Sequence, residues 1–176
     1  MCVTGVGSGL GKALSLEFLS RGHRVIGVAR SRDAFSHFEP HESSKSFVPC
    51  IADLTELSAT RSAIERACAE WGIDVLFNNA AIYPKSGFLE VSIDEWFSAI
   101  EVNVGGVAAC CHAVLPFMID QKFGRIYNVG SWADRTPIEN SSGYATSKGG
   151  LHALTKAIAA DIEALDMDIE IHEWIP

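Results

Sequence analysis

The segment Thr4–Gly11, TGVGSGLG, constrains this chain more than any other. It follows a short apolar start, Cys2-Val3-Thr4, and opens a helical run from about Leu10 to Arg21 that ends before Gly22. Glycines between a strand and a helix let the backbone turn tightly and approach a bound group closely. The helix start then offers unpaired N–H groups and a positive dipole end to an anion such as a pyrophosphate. The segment fits T-G-x-x-x-G-x-G and not G-x-G-x-x-G, because Leu10 or Lys12 falls where the third glycine belongs. A glycine-rich turn that binds nothing is the plainer alternative.

Downstream the pattern alternates. Strands are expected at Arg24–Ala29, Phe47–Ile51, Ile73–Asn78, Phe123–Gly130 and Ile169–Ile175. The polar stretch from Ser31 to Ser46 reads as loop with room for a short helix. Thr55 is placed to cap a helix that runs to Trp71, with Gly72 as its stop. Ser92-Ile93-Asp94-Glu95 is a capping box opening a long helical region to about Gln121, bent near Gly105-Gly106 or Pro116. Gly143–Leu165 completes the helices. Apolar strands separated by helices imply a parallel sheet covered on both faces. The fold class is therefore α/β, a doubly wound Rossmann-type sheet whose crevice lies beyond the C-terminal strand ends.

On the last helix Tyr144 and Lys148 stand four residues apart, so phenol and ammonium share a face about one turn apart. A tyrosine hydroxyl ordinarily ionises near pH ~10, and a neighbouring cation favours the phenolate. Ser131, just after the preceding strand, could hold a substrate oxygen against that phenol. Such a set can move a proton on or off an alcohol or carbonyl oxygen. Read singly, Tyr144 is a partly buried aromatic and Lys148 a solvated charge.

Composition narrows the field. The 176 residues suggest one domain with a sizeable core, and 48% hydrophobic with 20% charged residues is ordinary for a soluble protein. A net charge of −8 without a basic stripe argues against a nucleic-acid backbone binder. Cys2, Cys50, Cys68, Cys110 and Cys111 are odd in number and lack C-x-x-C spacing, which suits reduced, buried thiols in a cytoplasmic protein. No metal-ligand spacing is evident, and the motif at the N-terminus is not preceded by a signal segment. The longest apolar stretch, Val102 to Ile119, contains Asn103, two glycines, His112 and Pro116, and reads as a buried or interface helix instead of a membrane span.

With TGVGSGLG at one end and Ser131, Tyr144 and Lys148 at the other, the chain closely resembles the short-chain dehydrogenase/reductase family. Asp53 in IADL sits where that family contacts an adenine ring. Asn78-Asn79-Ala80-Ala81 is similar to its N-N-A-G segment, with alanine last. Asn103 in EVNVGG matches an asparagine that helps hold a water in a proton relay to the lysine. The resemblance implies an oxidoreductase moving a hydride between NAD(P)(H) and an alcohol or ketone. Tyr144 would be the acid/base, Lys148 its electrostatic partner and ribose ligand, and Ser131 the group orienting the substrate oxygen. It places the cofactor on Gly5, Ser8, Gly9, Leu10, Gly11, Arg30, Asp53, Leu54, Asn79, Ala80, Tyr144 and Lys148.

At the end of the second strand Ala29 stands where a carboxylate would accept hydrogen bonds from the ribose hydroxyls, and Arg30 follows it, which favours NADP(H) over NAD(H). The family's fold has seven strands and a substrate-covering segment, of which six strands are expected here. The sequence thus reads as a C-terminally shortened member, with dinucleotide binding without turnover as the alternative function. Tyr83, Trp132, Pro137 and Asn140 are candidates to line the substrate side. A homodimer or homotetramer through the helices at 103–121 and 144–165 is expected, where Val107-Ala108-Ala109-Cys110-Cys111 is broader than one buried stripe requires.

Overall fold

A computed structural model describes residues 1–43 and 45–176. Six strands form one parallel sheet in the order β3-β2-β1-β4-β5-β6. They are β1 (Cys2–Thr4), β2 (Val25–Ala29), β3 (Phe47–Ile51), β4 (Val75–Asn78), β5 (Phe123–Val129) and β6 (Asp168–Trp174). The helices are α1 (Gly9–Ser20), α2 (Glu39–Ser43), α3 (Leu57–Trp71), α4 (Ile93–Ile100), α5 (Val107–Gln121) and α6 (Ser142–Glu163). The strand order reverses between β1 and β4, which is the switch point where doubly wound sheets open a crevice.

Two apolar clusters cover the sheet. The larger holds Ile26, Val28, Leu76 and Ile126 from the strands against Ile64, Cys68, Cys110, Val114, Met118 and Leu151 from the helices. The smaller holds Val3, Val25 and Phe47 against Leu19, Phe35 and Phe38. Ile93–Gln121 taken as one run is long and apolar enough to cross a membrane, but Cys110, Cys111, Val114 and Met118 are spent in the core.

Several local expectations change. The stretch from Ser31 does hold the short helix it had room for, but with little loop: a 3₁₀ turn over Arg32–Phe38 leads into α2. Phe35 and Phe38, three apart, both point inward, and Phe38 stacks on Phe47 at 4.2 Å between centroids. Ser44, in the same stretch, lies outside the described residues. Thr55 does not cap α3. The cap position is Glu56, and Thr55 instead bonds the Asp53 carboxylate through both its amide and its hydroxyl. Gly72 does end α3, at φ +71°, and the Ser92 hydroxyl accepts the Glu95 amide as a capping box requires. The long helical region is interrupted not at Pro116 but where Gly105-Gly106 stand, by a π-helical turn over Glu101–Gly106 that also carries Asn103.

Candidate active site

The crevice begins with a clasp across the switch point. The Thr4 hydroxyl, at the end of β1, accepts the backbone N–H groups of Asn79 and Ala80, each at 3.0 Å, just past β4. The Asn79 side chain answers by donating to the Thr4 carbonyl at 3.0 Å and the Gly5 carbonyl at 3.4 Å. The glycine turn is thereby tied to the strand across the reversal. Gly9 has φ +52°, a conformation other residues rarely adopt. Ser8 is the extended cap residue of α1, yet its side chain makes no capping bond. The amides of the first helical turn therefore receive no side-chain cap and are available to an anion.

This clasp roofs a cavity of about 500 Å³. Gly5, Ser8, Gly9, Leu10, Arg30, Asp53, Leu54, Asn79 and Ala80 line it, as expected from the sequence. Gly7, Ser31, Ile82 and Val102 line it as well, and sequence reasoning had passed over them. Gly11 does not. It is buried beneath the turn, where a Cβ would meet the Gly5 carbonyl and, at 2.5 Å, the Asn79 amide nitrogen. Its role is to let α1 pack against the clasp. Hydrogen bonds from the Thr55 amide and hydroxyl hold the Asp53 carboxyl below the usual carboxylate range, so an anion lines the cavity here.

The cavity's size falls within the ~300–1,000 Å³ common to cofactor sites. Uncapped helix amides, a carboxylate acceptor and a guanidinium at the rim make up the donor set that a dinucleotide requires, so the residues present fit one.

The second half of the site gathers at the C-terminal ends of β5 and β6. Ser131 follows β5 and caps a 3₁₀ turn over Trp132–Asp134, accepting the Ala133 amide at 3.2 Å. Lys148 on α6 is 3% exposed and donates to the Val129 carbonyl at 2.6 Å. Burial pushes its ammonium down to about 8, opposed by the nearby charge of Glu173. Its nitrogen stands 5.5 Å from the centre of the Tyr144 ring, so the shared helix face read from the spacing is realised. Tyr83 packs on that ring at 4.6 Å, while Trp132 is exposed.

The Asn103 side chain is fully engaged within the fold. Both hydrogens of its amide are committed, one to the Ile82 carbonyl at 2.9 Å and one to the Ser147 hydroxyl at 2.9 Å, and its oxygen accepts the Ile82 amide. It is a buried bracket joining the π turn, the strand-end loop and α6.

The sequence model described as short chain dehydrogenase matches residues 1–176. The chain belongs to the short-chain dehydrogenase/reductase family, whose members are NAD(P)-dependent oxidoreductases acting on CH–OH and C=O groups. It is 33% identical over 175 residues to an uncharacterised short-chain type dehydrogenase/reductase of Sinorhizobium fredii, covering 99% of this chain and 67% of the relative. It is 32% identical over 163 residues to an NADPH-dependent pterin aldehyde reductase of Arabidopsis thaliana, covering 91% and 67%. Among solved structures, NAD⁺-bound xylitol dehydrogenase superposes with a TM-score of 0.89 at 28% identity, covering 99% of this chain and 68% of that one. The chain thus spans about two thirds of the length of each.

Proposed function

We propose that this chain is the dinucleotide-binding and proton-transferring part of an NADP(H)-preferring oxidoreductase acting on an alcohol or ketone. The observation that carries the reading is the pairing of buried Lys148 with Tyr144 on α6, at the same C-terminal ends of the strands that Ser131 and the Thr4–Asn79 clasp follow. When bound, the nicotinamide supplies or accepts the hydride. Tyr144 exchanges the proton at the substrate oxygen. Lys148, desolvated and fixed by the Val129 carbonyl, sets its positive charge 5.5 Å from the centre of the Tyr144 ring. Ser131, held by the Ala133 amide, orients the substrate oxygen.

Arg30 supports the NADP(H) preference: it lines the cavity next to Ala29, where no carboxylate competes for the ribose hydroxyls or repels a 2′-phosphate. Five unpaired thiols, all buried, support a reducing, cytoplasmic setting. A second copy of the chain is the proposed partner, docking on α5 and α6. Val107, Cys110 and Cys111 are spent inside the domain, so the apolar run is narrower on the surface than the sequence implied. What α6 offers outward is a face of small residues at Ala153, Ala157 and Ala160.

The test is Tyr144→Phe. NADPH affinity by fluorescence titration is expected to stay within about twofold, because only the hydroxyl is lost. Turnover of a ketone panel, followed at the nicotinamide absorbance, is expected to fall by at least the ~10²–10⁴ that acid–base catalysis contributes. Tight binding without turnover in the parent chain would leave the binding-only reading, and a Tyr144→Phe variant as fast as its parent would refute the mechanism.

A further inference from the structure

Asp134, His152 and Glu173 form a second cluster, behind Lys148 and outside the cavity. They come from three elements: the 3₁₀ turn after Ser131, α6 one turn beyond Lys148, and the end of β6. One donor atom from each lies within 4.8 Å of the other two, and His152 Nδ1 stands 2.6 Å from Glu173 Oε2. The side chains are 5% exposed for Asp134, 11% for Glu173 and 31% for His152.

Two carboxylate oxygens in this cluster, Asp134 Oδ1 and Glu173 Oε1, are buried and have no hydrogen-bond partner among the described residues. Arg135 approaches only the outer oxygen of Asp134, at 3.6 Å. A buried acceptor left unmade costs about 1–3 kcal/mol, more when it is charged, and two carboxylates this close also repel each other. Proteins rarely retain such an arrangement on two neighbouring side chains without something to satisfy it.

We infer that Asp134, His152 and Glu173 are the ligands of a divalent cation of the zinc or manganese type. Two carboxylates and an imidazole are the donor set that suits these ions, and thiolate is absent from the cluster. The ion would neutralise the carboxylate pair and take the place of the present hydrogen bond between His152 Nδ1 and Glu173 Oε2 with a bond to each residue. The more exposed His152 marks the side from which it enters and on which water completes its shell. The sequence offers no sign of this, since the three residues lie 18 and 21 positions apart and only the β5–β6 register and the packing of α6 bring them together. The inference does not depend on dinucleotide binding.

The probes are ZnCl₂ and MnCl₂, with bound metal measured after equilibrium dialysis and affinity by titration calorimetry on the full chain. One ion per chain is expected. Asp134→Asn and His152→Gln keep shape and remove a ligand. Each should weaken binding by more than about tenfold, the loss that even an outer-sphere change can produce, with an unchanged circular dichroism spectrum. Thermal unfolding of the parent should shift upward with metal, and the shift should vanish in both variants. Absence of stoichiometric binding of either ion, or binding equal to the parent in both folded variants, overturns the site.

Discussion

Thr4→Val tests the clasp on which the crevice depends. The substitution keeps the shape of a side chain that is 1% exposed and removes only the acceptor used by the Asn79 and Ala80 amides. Each orphaned donor costs about 1–3 kcal/mol if fully dry, a total of about 2–6 kcal/mol. Asn79 and Ala80 are half-buried, so water relieves part of this. The added methyl returns at most about 0.8 kcal/mol. The net expectation is about 2 kcal/mol. With a urea slope of about 2 kcal/mol/M, the unfolding midpoint should fall by about 1 M at unchanged slope. Thr4→Ser retains the hydroxyl and should lose less than half as much. NADPH affinity should weaken in the valine variant, because the glycine turn is no longer tied to the strand across the switch point. A valine midpoint within 0.2 M of the parent, or equal losses in the two variants, would show that the paired amides find other partners and that the clasp is not what holds the turn.

Three further outcomes are expected. NADPH should bind more tightly than NADH, and Arg30→Ala should narrow the gap, since a charge-assisted contact is worth about 1.5–3 kcal/mol; equal affinities in the parent would make Arg30 a bystander. Stability should fall steeply with alkali. Burial raises all five thiols, Cys68 and Cys111 to about 12, so the folded chain keeps protons that the unfolded chain sheds above pH ~9. Each thiol then removes about 1.4 kcal/mol per pH unit, while Lys148, pushed down to about 8, offsets one of them up to its ordinary 10.5. Urea midpoints that are equal at pH 8 and pH 10 would contradict this. Light scattering at micromolar concentration should give at least a dimer, which a bulky charge at Ala157 on α6 breaks; a monomeric mass for the parent would refute the proposed pairing.

What could be read from the sequence shares one property: its geometry is set locally. The glycine turn is legible because strand, turn and helix are consecutive, and Tyr144 with Lys148 because four residues make one helical turn. The alternation of apolar strands with helices gave the parallel sheet for the same reason. Phe35 and Phe38 were lost in a polar stretch because their inward direction depends on Phe47 of β3, and a three-residue period is too short a signal to find unaided. Thr55 shows the reverse case: the residue type suits a cap, but the Asp53 carboxylate, two positions earlier, competes for it and wins with two hydrogen bonds.

Asn103 and Glu173 show where local reading stops. The sequence marks Asn103 as polar in an apolar run, and the family pattern marks its position. Neither could show that its amide would be consumed by Ile82 and Ser147, because those contacts depend on the π turn that rotates residues 101–106 relative to an ideal helix. Glu173 carries no motif at all. Its position follows from the parallel register that sets Val129 opposite Trp174, which brings its carboxylate up beside His152 and close enough for its charge to oppose the burial of Lys148. Burial is the larger influence on the lysine's charge state, and a residue 25 positions downstream of it partly opposes that burial. Any substitution at the end of β6 that removes this carboxylate acts on the proton-transferring pair without touching either member.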